Sequence, residues 1–405
     1  MVRLACLARW ATALFALGSA GAALAQDTDG LDLSASYTLR HDDNLFRLPD
    51  GVRPQTVLGR PSAGETMDIS SLGLRYAKTH SLQRIELGVS LVDYRYRTHR
   101  RLDLLATNYD LAWRWALTPR LRGSLRAEQD ESVNSFDDAS VLTSGNQRTQ
   151  RHEAFDAVYE IDGAWRLVGG VLRTRNQNEQ PLIGEESYVL RSAEAGLRYD
   201  ASSGSSVTWR LRKGSGSTLA GLGPPVLLRD TEFDQDEQVL DVRWLASAKT
   251  TVELNLVHLQ RRHERLALRD YDGTNAALSL RWSATAKTLW TLQWSSDVSS
   301  YQSLNASHVR TDKLQLGHVW QIAARTTLQA SLGETRRRFL GPPPGRTPDP
   351  TREATQEASL GLRWAVSRNL SLNTSLQHTQ RRGNRPGLAF SSTQALVGLS
   401  LRTSQ

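Results

Sequence analysis

The chain has 405 residues, a formal net charge of +8 at neutral pH and one cysteine, Cys6. A single thiol excludes an internal disulfide framework and a thiolate metal centre. The mean hydropathy is −0.45, and past the leader no run approaches the ~18 apolar residues a spanning helix needs.

The first element is that leader. Arg3 and Arg9 give a basic start, "WATALFALGSAGAALA" is an apolar stretch too short for a membrane helix, and Ala23-Leu24-Ala25 ends it in small residues. This pattern predicts a secretory signal peptide over residues 1–25, cleaved after Ala25, and a mature chain from 26 to 405. Loss of Arg3 and Arg9 lowers the net charge by two, to +6. An exported chain is kept from nucleic acid, which is therefore not an expected partner. The basic balance has to be read from where the arginines point.

From residue 31 onward, apolar and polar residues alternate. Leu72, Leu74 and Tyr76 oppose Gly73 and Arg75; Ala195, Leu197 and Tyr199 oppose Gly196 and Arg198. Leu278, Leu280 and Trp282 oppose Ser279 and Arg281, and Leu360, Leu362 and Trp364 oppose Ser359, Gly361 and Arg363. A period of two is the strand period, and no window of similar length shows helical spacing. Strands are predicted over 31–44, 67–79, 82–97, 103–118, 120–133, 150–162, 164–177, 188–201 and 204–214. The second half follows with 235–247, 250–264, 272–285, 288–297, 308–322, 325–336, 353–366, 369–381 and 389–402.

The connections alternate as well. Short ones fall near Ser81, Pro119, Gly163, Ser203, Lys249, Lys287, Ala324 and Arg368, and mostly long polar ones lie between them. Outer-membrane barrels have short periplasmic turns, longer extracellular loops and an even strand count. The expected fold is thus an all-β transmembrane barrel of about 18 antiparallel strands. It would lie in a Gram-negative outer membrane with both termini periplasmic. Outer-membrane lipid and the barrel-assembly machinery would be its partners.

Two sets of residues follow from the parity. Tyr76, Trp113, Trp115, Tyr159, Tyr199, Trp244, Trp282, Trp320 and Trp364 precede short turns, as an aromatic girdle at the periplasmic headgroups would. The opposite parity would line the channel. It holds Arg75, Arg114, Arg122, Arg126, Arg198, Arg210, Arg212, Arg243, Arg281 and Arg363, among Glu128, Asp241, Glu253, Gln293, Lys313 and Gln329. Rings of arginine select anions, whereas arginines paired with wall carboxylates only stiffen the barrel. Long loops can also fold inward and narrow the passage.

Enzyme chemistry finds no support in the sequence. His41, His152, His258, His263, His308 and His378 are scattered, with no G-x-S-x-G or H-E-x-x-H motif. No catalytic residue, cofactor or metal is expected. "HDDN" (His41 to Asn44) gathers oxygen ligands but lacks the repeated spacing of a calcium loop.

The most specific stretch is "SYTLRHDDNLFRLPDG", Ser36 to Gly51. It resembles the start of the mature chain in the exopolysaccharide biosynthesis operon protein EpsL family, which is associated with exosortase-B-type gene clusters. The match falls on Tyr37, Asp42, Asn44, Leu45, Phe46 and Arg47. The resemblance implies an outer-membrane barrel acting as a passive channel for an extracellular polysaccharide. Other export proteins of the periplasm and inner membrane would supply polymer and energy. The residues alone leave two alternatives: a porin for small anionic solutes, or a structural or assembly factor with a plugged lumen. The C-terminus, "VGLSLRTSQ", departs from barrels that end on an aromatic residue, and Phe390 lies too far from the end to serve.

Overall fold

A computed structural model describes residues 29–133, 147–179, 187–219, 232–265, 267, 270–300, 306–341, 345, 351–385 and 387–404. The leader with Ala25 and the centres of several long connections lie outside the described residues. Alternating side chains and β-branched or aromatic residues produce β1 (Gly30–Asp42), β2 (Glu65–His80), β3 (Gln83–Tyr96), β4 (Leu104–Ala116), β5 (Leu121–Val133) and β6 (Gln147–Glu160). Next come β7 (Trp165–Asn178), β8 (Tyr188–Asp200), β9 (Ser206–Thr218), β10 (Glu232–Ser247), β11 (Thr250–His263) and β12 (Tyr271–Thr285). The last six are β13 (Thr288–Ser300), β14 (His308–Ala323), β15 (Thr326–Leu340), β16 (Arg352–Ala365), β17 (Leu370–Gly383) and β18 (Phe390–Ser404).

Every strand pairs antiparallel with its neighbours in sequence, and β1 pairs with β18 from Asp32↔Ser404 to Asp42↔Gln394. The sheet is therefore a closed barrel of 18 strands. Five strands run three or four residues past the spans expected from sequence: β6 starts at 147 and β10 at 232, while β9 reaches 218, β13 reaches 300 and β15 reaches 340. Pairing is a backbone property, so it continues beyond the point where the apolar alternation ends. The described helices are a five-residue α1 (Pro54–Leu58) and a 3₁₀ turn at Arg100–Leu102. None is long and apolar enough to cross a membrane.

Eight connections of two to five residues gather at one end of the barrel, and nine of six to 22 residues at the other. Both described termini sit at the short-turn end. The apolar side chains are mostly on the outside: Leu72 is 64% exposed, Leu332 61% and Leu360 53%. A closed barrel with an apolar outer wall satisfies every backbone group within lipid, and one of this size encloses a lumen rather than a packed core. The largest buried apolar cluster, Leu45, Phe46, Leu48, Met67, Ile69, Tyr96 and Leu102, lies at the long-loop end.

Candidate functional site: the lumen wall and its mouth

Cross-strand register fixes which side chains face the lumen. Leu254, Leu278, Trp294 and Leu314 form one row of directly opposed residues on the outer wall. Their chain neighbours therefore point inward, because successive strand side chains alternate. By this rule Arg75, Arg114, Arg126, Arg198, Arg210, Arg243, Arg281 and Arg363 all face inward, as does Arg122.

Tyr76, Trp113, Tyr199, Trp244, Trp282, Trp320 and Trp364 sit on the outer parity next to the short turns, each between 40% and 57% exposed. Trp115 departs from the expectation. It has the outer parity but is only 8% exposed. It lies flat across Gly123, where a Cβ would come within 2.5 Å of the indole, and stacks on Phe155 at 5.9 Å.

Most inward arginines are held by carboxylates. Glu86 accepts from Arg84 Nε at 2.8 Å and Arg114 Nη2 at 2.9 Å. Arg126 lies 3.6 Å from Asp156. Asp200 takes Arg198 at 2.7 Å and also binds Arg166. Buried Arg210 bridges Asp241 and Glu194, and Arg212 reaches Glu194 and Glu237, each at 2.7 Å. Arg243 lies 3.6 Å from Glu253. These groups form a braced wall.

Arg75, Arg122, Arg281 and Arg363 differ. None has an ion-pair partner among the described residues, although Asp32 stands opposite Arg75; that carboxylate takes Arg402 at 2.7 Å. Arg281 faces Thr251 and Thr291, and Arg363 faces Thr327 and Asn373. The four lie on β2, β5, β12 and β16, close to the short-turn end, and so place uncommitted guanidinium donors around that mouth of the lumen.

At the other mouth the β1–β2 connection folds inward. Asp42, almost fully buried, accepts from Arg47 Nη1 at 2.8 Å, Ser392 Oγ at 2.8 Å, Gln394 Nε2 at 3.0 Å and the Asn44 amide at 2.9 Å. Asn44 donates to the carbonyls of Leu48 and Ser391, both at 3.0 Å, and accepts from the Leu48 amide at 2.8 Å. Arg47 sits at φ 54°, the left-handed region where the chain reverses.

That turn presses Leu45, Phe46 and Leu48 onto the lumen-facing Met67, Ile69 and Tyr96. Glu65 seals the arrangement by accepting from His99 Nδ1 at 2.6 Å and from the amides of Thr66, Thr98 and His99. The His99 ring meets Phe46 edge-on at 4.7 Å. Asp42, Asn44, Leu45, Phe46 and Arg47 thus form one unit, while Tyr37 lies outside it. Its hydroxyl binds Asp68 on the outer wall, where Arg97 also binds Asp68. Asp42 is committed to protein donors, and no group of His, Cys, Asp or Glu among the described residues is arranged to hold a metal.

Sequence reasoning missed two further features of this mouth. The Arg261 guanidinium lies 4.2 Å over the Phe233 ring and 5.5 Å from that of Tyr271, and Arg381 lies 4.6 Å over Phe390. Each contact joins different strands, so only the register reveals it.

A family model described as "Putative beta-barrel porin 2" matches residues 242–403, which span β10 to β18. No curated protein sequence matches the chain. The solved outer-membrane protein OpdK of Pseudomonas aeruginosa superimposes with a TM-score of 0.50 at 12% identity, over 92% of this chain and 99% of that one. OccK2 (OpdF) of the same organism gives 0.51 at 14% identity, over 94% and 99%. OpdQ gives 0.51 at 10% identity, over 92% and 98%.

The chain is a porin-like outer-membrane β-barrel. At these identities the structural likeness is one of fold. The porin-like barrel's family match begins at residue 242, well beyond Asp42 to Arg47, and is to a porin family rather than to EpsL. In this porin-like barrel the motif that carried the EpsL resemblance serves as the anchor of an inward-folded loop.

Proposed function

We propose that the protein is a passive channel for small anionic solutes, with its short turns and both termini in the periplasm and its long loops outside. The observation that carries this reading is the set of uncommitted lumen arginines: Arg75, Arg122, Arg281 and Arg363. In a water-filled passage each lowers the energy of a passing anion without enclosing it, and weak, dispersed sites favour conduction over trapping. OpdK, a barrel of similar fold, has been solved with vanillate, a carboxylate. A small organic anion of that kind is the proposed substrate class. The chemistry asked of the protein is electrostatic, and no catalytic residue is invoked.

Polysaccharide export rests on the EpsL resemblance and draws no support from the comparisons. The inward β1–β2 loop also occupies lumen that a polymer would need. The deciding measurement is the reversal potential across a planar bilayer under a KCl gradient. The native channel should prefer chloride, and R75Q/R122Q/R281Q/R363Q should lose most of that preference while still folding. A cation preference, or an unchanged potential in the quadruple variant, would sink the proposal. Negligible conductance would point instead to a plugged structural factor.

A further inference from the structure

The outer wall carries a feature that solute passage does not use. Across β5 to β9 the outward side chains leave a groove of about 570 Å³ on the face turned to lipid. Its floor is Phe155, Val171 and Ala193, which oppose one another on β6, β7 and β8. Ala193 makes the hollow, because it is small where its neighbours are large. Arg173 and Arg191 line the side nearer the long loops, and Lys213 closes the row of the floor directly opposite Ala193.

The arrangement of these cations is unusual for a lipid-facing wall. Arg173 and Arg191 stand directly opposite each other on β7 and β8, and one step further out Arg151 faces Arg175 on β6 and β7. Like charges directly opposed on a sheet destabilise it. Partial relief exists: Glu153 lies 3.2 Å from Arg173, and Asp236 lies 4.0 Å from Lys213, a pair that is largely exposed. Among the described residues Arg151 and Arg175 bond only to Gln129 and Gln177. Arg191 has no hydrogen bond or ion pair among the described residues. Asp234, at the edge of the groove, lies beyond Ser215 from Arg191.

The far wall resolves the same conflict internally. There Arg310 and Arg338 are also directly opposed, but both bind Asp312, at 3.4 Å and 2.9 Å. Arg336 binds Glu334 at 2.7 Å. Among the described residues the β6–β9 cations lack equivalent partners.

Height identifies what can supply the missing charge. Arg173 is eight residues from Trp165 along β7, and Arg191 is eight from Tyr199 along β8. At about 3.3 Å per residue and a tilt near 40°, that is roughly 20 Å above the aromatic girdle. The apolar band of such barrels is about 25 Å tall. Arg173 and Arg191 therefore lie towards the upper edge of the band, where outer-leaflet headgroups begin. The apolar floor lies lower, at the level of the acyl chains, and the long side chain of Lys213 in that row can reach up to the headgroups.

We propose that this groove binds a phosphorylated, acylated glycolipid of the outer leaflet, of the lipid A type. An acyl chain lies over Phe155, Val171 and Ala193, and a phosphate sits among Arg173, Arg191 and Lys213. The reading shares the long-loops-outward orientation proposed above but is independent of what the lumen conducts.

The test is native mass spectrometry of the purified full-length barrel with bis-phosphorylated lipid A, with its dephosphorylated form as comparator. Retention of the bis-phosphorylated lipid should fall roughly tenfold in R173Q/R191Q/K213Q, as expected for lost charge-assisted contacts. R336Q/R338Q on the opposite wall should retain it as the native barrel does. Heat-modifiable migration confirms that each variant is folded. Equal retention of the dephosphorylated lipid, an unchanged triple variant, or an equal loss in R336Q/R338Q would each overturn the assignment.

Discussion

Asp42 shows how much one side chain can organise. It is 1% exposed, and its donors come from β1's own turn and from β18. Replacing it with alanine takes the carboxylate from the Arg47 guanidinium, which is only 15% exposed and keeps its bonds to the Asn44 carbonyl and Ser392 Oγ. Removing one partner of a buried ion pair costs about 3 kcal/mol, enough to loosen the turn without opening the barrel. Asp42→Ala should therefore speed proteolytic cleavage within residues 43–64 and raise single-channel conductance, with heat-modifiable migration retained. Cleavage at the native rate would show that the apolar contacts of Phe46 hold the loop by themselves. The importance of Asp42 was legible in the sequence only as part of a motif. Its role was not, because Ser392 and Gln394 are some 350 positions away.

At the level of elements, the strands were almost fully readable. Lipid outside and water inside impose opposite demands on alternate residues, and that alternation persists through most of each strand. It breaks down where the demand changes. Met67, Ile69 and Tyr96 are apolar on the lumen parity because the β1–β2 loop covers them; an apolar residue on the polar face is the one sequence signal that a loop has turned inward. The parity can be tested one residue apart. Leu360 faces out and is 53% exposed, whereas Ser359 faces in and bonds Ser331 Oγ at 2.7 Å. Leu360→Arg should cost about 2–4 kcal/mol if it lies near the midplane, and Ser359→Arg should cost little, both read by urea titration of the barrel in vesicles. Equal penalties would mean that the faces are reversed. Gly123→Val should also impair folding, because its first carbon would meet the Asp156 carbonyl at 2.0 Å and displace Trp115.

Taken whole, the molecule divides its charge by location. The sequence gives a basic balance, and the barrel distributes it to a braced inner wall, an uncommitted ring near the short turns and a cationic belt outside. Which arginines are braced could not be read beforehand, since Arg210 and Arg281 occupy similar positions in their strand phrases. Only the register brings Asp241 and Glu194 to the first and threonines to the second.

The Asp42 network also straddles the one seam that joins the chain's two ends, the β1–β18 pairing. The earliest strand must wait for the latest one before that carboxylate has its full set of donors. Docking of the loop is thus conditional on completion of the cylinder, and the narrowed mouth belongs only to a finished pore. An unfinished chain would expose Phe46 and Leu48 to proteases and chaperones, so the same residues that shape the mature opening would mark incomplete assembly for removal.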